Sequence, residues 1–264
     1  MPALDGLRGL AVAVVFLYHA GHLRGGFLGV SVFFTLSGFL ITSLLLLEHR
    51  RAGRIDLVAF WGRRARRLLP AAYATILGIC VWLGWFADDY PYDTVAGDAA
   101  AALLYVSNWR FILQDLDYSQ AFAPSFFTHF WSLAIEEQFY LVFPLVFPAF
   151  VRVARGRQAA LGALIGVLVL GSLIVTFVVD DGRVGGMVYL NTFTRAGEIL
   201  VGSLLAVVAL GWQASGRSRQ LLDGVGLVAL VAIVVASARV TLADDVLRNG
   251  GLLAFSLLSL AVVA

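Results

Sequence analysis

Eight stretches of this chain run for roughly twenty residues with almost no charge, at residues 7–22, 27–47, 68–87, 131–151, 159–179, 188–211, 221–238 and 246–264. About 20 apolar residues in a helix cross the hydrocarbon core of a bilayer. A backbone in lipid must also satisfy its own hydrogen bonds, which a helix does and an open sheet does not. The recurrence therefore predicts an all-α, polytopic transmembrane helix bundle. The stretch 95–113 carries Asp98, Asn108 and Arg110 among its apolar residues and is a ninth, weaker candidate, giving about 8–9 membrane helices. Composition agrees: 60% of the 264 residues are hydrophobic and 14% charged, which excludes a soluble domain, disorder, collagen and coiled coil. The lone Cys80 allows neither an internal disulfide nor a cysteine metal cluster, and no metal site is expected.

No soluble second domain, tandem repeat or low-complexity linker interrupts residues 1–264, which read as one membrane domain. Asp5 and Arg8 leave no clean basic n-region, so the first apolar stretch is expected to stay in the mature protein rather than be cleaved as a signal peptide.

Every basic residue is arginine, 19 in all, and they cluster. Residues 48–67 hold Arg50, Arg51, Arg54, Arg63, Arg64, Arg66 and Arg67; 152–157 hold Arg152, Arg155 and Arg157; 213–220 hold Arg217 and Arg219. Cytoplasmic loops are enriched in Arg and Lys, so these are expected inside and the N-terminus with them. Asp88, Asp89 and Asp93, then Asp180 and Asp181, then Asp244 and Asp245, are expected outside. The strong spans then alternate. A full crossing within 95–130 would break the parity, so 95–113 is expected to be re-entrant, peripheral or tilted, or accompanied by a further short helix.

Against this apolar background the polar residues stand out. Arg8 and His19 are eleven apart, close to three helical turns, so both project from one face, with Asp5 on the same side. Ionisable groups in a membrane helix usually face an internal cavity and mark function; equally, the two could sit at opposite interfaces, where Arg snorkels and His meets headgroups. A bundle-facing His19 is suited to serve as general base on an alcohol, whereas His22 and His49, near helix ends, are expected to be solvated. Small residues interleave with aromatics from Gly25 to Ile41, which suits close helix contact. Phe60–Leu69 reads as a basic amphipathic segment on the cytoplasmic surface, suited to anionic lipid or to a phosphorylated donor. His129 to Tyr140 is the densest polar cluster: Glu136 shares a helical face with Ser132 and Tyr140, while Glu137 points elsewhere. Arg195 and Glu198, three apart, are placed to pair inside the bundle.

As a set these blocks resemble acyltransferase family 3, integral-membrane O-acyltransferases of surface glycans, lipid-linked sugars and some macrolides. The resemblance rests on Leu4-Asp5-Gly6-Leu7-Arg8 with His19 at an Arg-x10-His spacing, the glycine-rich second block, and Arg63-Arg64-x-Arg66-Arg67-Leu68-Leu69-Pro70. Trp131-Ser132-Leu133-x-x-Glu136-x-Gln138-Phe139-Tyr140 and Arg195-x-x-Glu198 complete it. It implies transfer of an acyl group, commonly acetyl from cytoplasmic acetyl-CoA or another acyl-CoA as co-substrate with no bound cofactor, to a hydroxyl of a glycan or lipid-linked acceptor. The setting implied is the bacterial plasma membrane, with no nucleic-acid partner. His19, Arg8 and Glu136 would be catalytic: His19 takes the acceptor proton and an arginine steadies the oxyanion. Arg63, Arg64, Arg66 and Arg67 would bind the donor phosphates. Asp5, Ser31, His129, Trp131, Ser132, Gln138, Tyr140, Arg195 and Glu198 would line the cavity.

Two departures accompany the resemblance. Ser31 stands where the family usually has Asp, and the chain lacks a late Gly-x-x-Ser-Tyr segment found in relatives of about ten spans, so it is expected to be C-terminally incomplete relative to the family. Two other readings stay open. A solute transporter would show inverted repeats, and none is evident; an inactive binding subunit would fit Ser31 and the missing segment. Among the tryptophans, Trp61, Trp82, Trp85, Trp109, Trp131 and Trp212 suit sugar stacking or interfacial anchoring.

Overall fold

A computed structural model describes residues 2–86, 92–115, 125–182, 186–209, 215–242 and 244–263, all helix and connecting turns with no strand among them. The helices are α1 (Pro2–His19), α2 (Gly29–Ala52), α3 (Leu57–Phe86), α4 (Tyr92–Leu103), α5 (Ser107–Leu113) and α6 (Phe130–Val153). They continue as α7 (Gln158–Val178), α8 (Met187–Leu190), α9 (Thr192–Ala209), α10 (Arg217–Arg239) and α11 (Leu252–Val263). Six of them are long and apolar enough to cross a membrane: α2 with its preceding 3-10 turn, α3, α6, α7, α9 and α10. α1 has the length but carries Asp5 and Arg8, and Leu247–Val263 is shorter.

The centre of the bundle is the contact of α2 with α9. A Cβ built on Gly38 would land on the carbonyl oxygen of Ile199, and one on Gly202 on that of Thr35, so the two backbones touch. Lipid provides no hydrophobic drive between helices; small residues that let backbones approach supply the packing instead. The glycine-rich second block thus does the structural task its composition suggested. Ser172 of α7 repeats the device on the other flank of α9: its hydroxyl donates to the carbonyl of Phe193 at 2.6 Å and accepts from the Gly197 N–H at 2.8 Å. Helices further out are half bare: α3 buries only Phe60, Ala72, Ile76 and Leu83 over 30 residues, leaving an apolar flank suited to lipid.

Three helices depart from the spans expected from hydropathy. Residues 188–211 break at Asn191, which is extended (φ −77°, ψ 131°) and accepts the Phe193 N–H at 2.8 Å on its side chain, starting α9 afresh after α8. Residues 246–264 kink where Gly250 takes φ +86°, a conformation that glycine adopts without strain. The basic segment at 60–69 is no surface helix of its own. It is the first part of α3, which runs on through Pro70 without a break.

The weak ninth stretch is two short helices, α4 of 12 residues and α5 of 7. At 1.5 Å per residue they span about 18 and 10 Å, short of a 30 Å core. They are clamped to each other by Arg110, whose Nε donates to the buried carboxylate of Asp98. Trp82 near the end of α3 packs against Phe126 just before α6, with ring centroids 5.3 Å apart. The end of α3 and the start of α6 therefore lie at one side of the bundle. Asp88, Asp89 and Trp212 lie outside the described residues.

Candidate active site

α1 packs antiparallel to α2 because Gly26 and Gly29 sit against the backbone of Val14 and Ala11. That contact sets His19, in the last turn of α1, beside the start of α6. The His19 and His129 rings meet edge to face, with centroids 4.7 Å apart. Both line a cavity of about 430 Å³ whose other polar walls are Trp131 and Ser132 and whose apolar walls include Val12, Phe16, Val30 and Phe33. His19 Nδ1 lies 2.9 Å from the Val15 carbonyl. A carbonyl only accepts, so Nδ1 carries the proton and Nε2 is the basic nitrogen of the ring. Partial burial, with the charge of His19 second, holds the His129 imidazole below the ordinary histidine value.

Arg8 is not in this cavity. Eleven residues of helix place it about 16 Å from His19 along α1, half-buried, where its charge acts on Glu136. Glu136 accepts from Ser37 Oγ at 2.8 Å and from Tyr140 OH at 3.3 Å, the latter at the i+4 spacing read from the sequence. Glu137 faces α3, with Arg64 Nε 3.4 Å from its Oε1. The Arg64 guanidinium lies 3.1 Å over the Tyr140 ring. Arg8, Glu136, Ser37, Tyr140, Arg64 and Glu137 thus form one polar tract below the cavity, contributed by α1, α2, α3 and α6. The expectation that the whole arginine block lies on the surface is corrected for Arg64, which α3 turns inward. Arg63, Arg66 and Arg67 stay exposed, Arg63 within 3.7 Å of Glu48.

Trp131 divides this site from a second one. One part of it lines the cavity; its ring also lies 4.8 Å from that of Tyr189 and 5.6 Å from the Arg195 guanidinium carbon. Arg195 is 1% exposed and surrounded by the Phe34, Trp131 and Tyr189 rings, 4.9–5.6 Å away. Its Nη1 is 2.9 Å from Glu198 Oε1, the i,i+3 pair expected from the sequence. The carboxylate lies off the N–H directions, and none of the three guanidinium nitrogens makes a hydrogen bond among the described residues. Glu198 accepts from Ser256 Oγ at 3.2 Å on α11, and Ser31, fully buried, lies beside it. Ser31, Arg195 and Glu198 are therefore behind the cavity wall rather than on its surface. Asp5 is exposed one turn before Arg8.

Gln138 is on yet another side of α6. Its Nε2 donates to the Tyr105 carbonyl at 2.8 Å and to Asn108 Oδ1 at 2.9 Å, and its Oε1 accepts from Thr192 Oγ1 at 2.6 Å and Trp109 Nε1 at 3.2 Å. It ties α5 and the start of α9 to α6, away from the cavity. Sequence reasoning missed Ser37, Asn108, Thr192, Phe34 and Tyr189. Ser37 was visible only as one more small residue of the packing block, and no local spacing joins it to a glutamate 99 residues away.

Comparison with known proteins follows the same lines. The chain is 36% identical over 271 residues to peptidoglycan O-acetyltransferase OatA of Listeria monocytogenes, covering 100% of this chain and 43% of that protein. It is 45% identical over 212 residues to putative peptidoglycan O-acetyltransferase YrhL of Bacillus subtilis, covering 79% of this chain and 33% of that protein. It is 39% identical over 272 residues to O-acetyltransferase OatA of Staphylococcus aureus, covering 100% and 44%. The chain thus spans less than half the length of these relatives. No solved structure matches. The profile of acyltransferase family 3, described as an acyltransferase domain, matches residues 1–264, and the chain belongs to that family.

Proposed function

We propose that this chain is the membrane-embedded part of an O-acetyltransferase that passes an acyl group from a thioester donor, acyl-CoA, to a hydroxyl of a cell-wall glycan. The observation that carries the reading is His19: a histidine with its basic nitrogen defined by the Val15 carbonyl, paired with His129, in a cavity of about 430 Å³. The names of the relatives support a peptidoglycan acceptor. α1 and Leu247–Val263 complete eight crossings, with the N-terminus and the arginine-rich end at the cytoplasmic face of a bacterial plasma membrane and the His19 cavity toward the outside. The arginine bias of the loops supports that orientation.

In this reading His19 Nε2 takes the acceptor proton as the hydroxyl oxygen attacks the thioester carbonyl. The C–O bond forms, the C–S bond breaks, and the proton ends on the thiol. General-base catalysis of this kind contributes about 10²–10⁴-fold. Arg8 is about three helical turns from His19, so it serves the donor rather than the oxyanion; His129 and Ser132 are the donors within the cavity. Arg8, Glu136 and Arg64 line the passage by which a donor from the arginine-rich end approaches. Arg63, Arg66 and Arg67 meet its phosphates at the entrance, where the forked guanidinium suits them.

The test is acyl transfer in membranes containing the chain, supplied with acetyl-labelled acetyl-CoA. Label appearing on lipid or glycan with the unmodified chain and lost in His19→Ala is the expected result. Equal labelling by the two would remove His19 from the chemistry, and no labelling by either would overturn acetyl-CoA as donor for this chain.

A further inference from the structure

At the end of the bundle away from His19, a second cavity of about 160 Å³ opens between the last turns of α2, the α6–α7 turn and the end of α9. His49 is 16 residues beyond Phe33 on α2, so about 24 Å of helix separates it from the His19 cavity. The floor is apolar, from Leu46, Val151, Leu161 and Val207, and the rim carries His49, Arg50 and Arg157. Among the described residues no carboxylate lines it. The nearest in sequence, Glu48, is turned the other way, accepting the Asp56 N–H at 2.8 Å and lying 3.7 Å from Arg63. Gln158 closes the remaining side by donating to the Val207 carbonyl at 2.5 Å. Arg50 and Arg157, both exposed, thus border an apolar slot that no described carboxylate lines, an arrangement that favours a phosphate oxygen over a neutral group.

We propose that this cavity is a binding site for a phosphate ester of net negative charge carried on an apolar stem, separate from the acyl-transfer cavity. The phosphate sits between Arg50 and Arg157 and the stem in the Leu46–Leu161 floor. The lining selects the class: the arginines at the rim suit a phosphate, and the apolar floor suits the first carbons of its stem. An anionic phospholipid headgroup and free phosphate share this chemistry.

The test uses the full chain in detergent, titrated with phosphatidylglycerol or with phosphatidylcholine of the same acyl chains and read by native mass spectrometry. Phosphatidylglycerol should bind the more tightly. Arg50→Gln with Arg157→Gln should weaken it about 25-fold, from about fivefold per arginine at an anionic lipid surface, and weaken phosphatidylcholine, whose own ammonium offsets its phosphate, by less. Should the double variant not fold, Arg157→Gln alone, on the exposed turn, carries the same test with a fivefold effect. Displacement of the lipid by millimolar inorganic phosphate would support the site with the free anion as occupant; failure to displace would support it with the lipid. Equal affinity for the two lipids, or undiminished phosphatidylglycerol binding by the arginine variants, overturns the proposal.

Discussion

The bundle contains two arginine–glutamate pairs of the same chemistry in opposite settings. Arg195 and Glu198, both on α9, are 1% and 2% exposed and ringed by aromatic side chains. Arg64 and Glu137, on α3 and α6, keep 21% and 18% of their surface and belong to the polar tract below the cavity. A pair sealed among aromatic rings can exchange with nothing, whereas a pair open on one side can release a partner to a ligand. The difference teaches which ion pair is sealed into the frame and which stays open on one side. Burying two charges costs about as much as their attraction returns, so the α9 pair specifies how α9 meets Trp131 and Tyr189 rather than adding net stability.

The comparison breaks most readily at Arg195. Arg195→Ala leaves Glu198 buried and alone, a loss of about 3–5 kcal/mol in comparable cases. It should sharply lower folded yield and melting temperature in detergent. Arg195→Met with Glu198→Leu should restore most of that loss, because apolar replacement of a buried pair is often neutral or better; a double variant as unstable as the single one would show that the pair itself stabilises. Next, Gly202→Ala forces a methyl onto the Thr35 carbonyl beside the same pair. It should cost about 1–3 kcal/mol, seen as a lower melting temperature. Arg64→Gln is the counterpart on the open pair: stability should change by about 1 kcal/mol or less, while labelled acetyl transfer falls. Transfer at the unmodified rate would move Arg64 to the frame as well.

The smallest effect is expected from His129. Its folded-state pKa lies below the ordinary value, so below about pH 6.5 the unfolded chain takes up a proton that the folded chain refuses. Its stabilising contribution is therefore complete above that pH and lost as pH falls through 6.5 toward the lowered value. Thermal melts between pH 8 and 5 should show a decline that His129→Gln flattens.

What could be read in the sequence was what lies within one helix. Arg195 with Glu198 and Glu136 with Tyr140 follow from i,i+3 and i,i+4 spacing, and the glycine block predicted close packing before its partner, α9, was known. Contacts between helices were hidden because they depend on how each helix is rotated about its axis. Ser37 with Glu136, Arg64 with Tyr140, and Gln138 with Thr192 join residues 54 to 99 apart. The breaks inside apolar stretches were hidden because hydropathy runs straight through them. Asn249-Gly250-Gly251 was nonetheless a turn signal in plain view, and Asn191 a weaker one. Arg8 shows a different limit: sharing a face with His19 says nothing about depth, and the rise per residue separates the two, as the opposite-interface alternative allowed.

The backbone contact at Gly38 and Gly202 has a mechanical consequence. Two helices locked carbonyl to Cα slide past each other only by losing that fit, so α2 and α9 behave as a stator. Among the described residues α1 buries Leu4 and Ala11 and α3 four of its 30, so both are held to that seam by far fewer contacts. His19 is carried by the first, on the cavity wall, and Arg64 by the second, in the tract below it, so the polar groups of both lie on the helices least held by the seam.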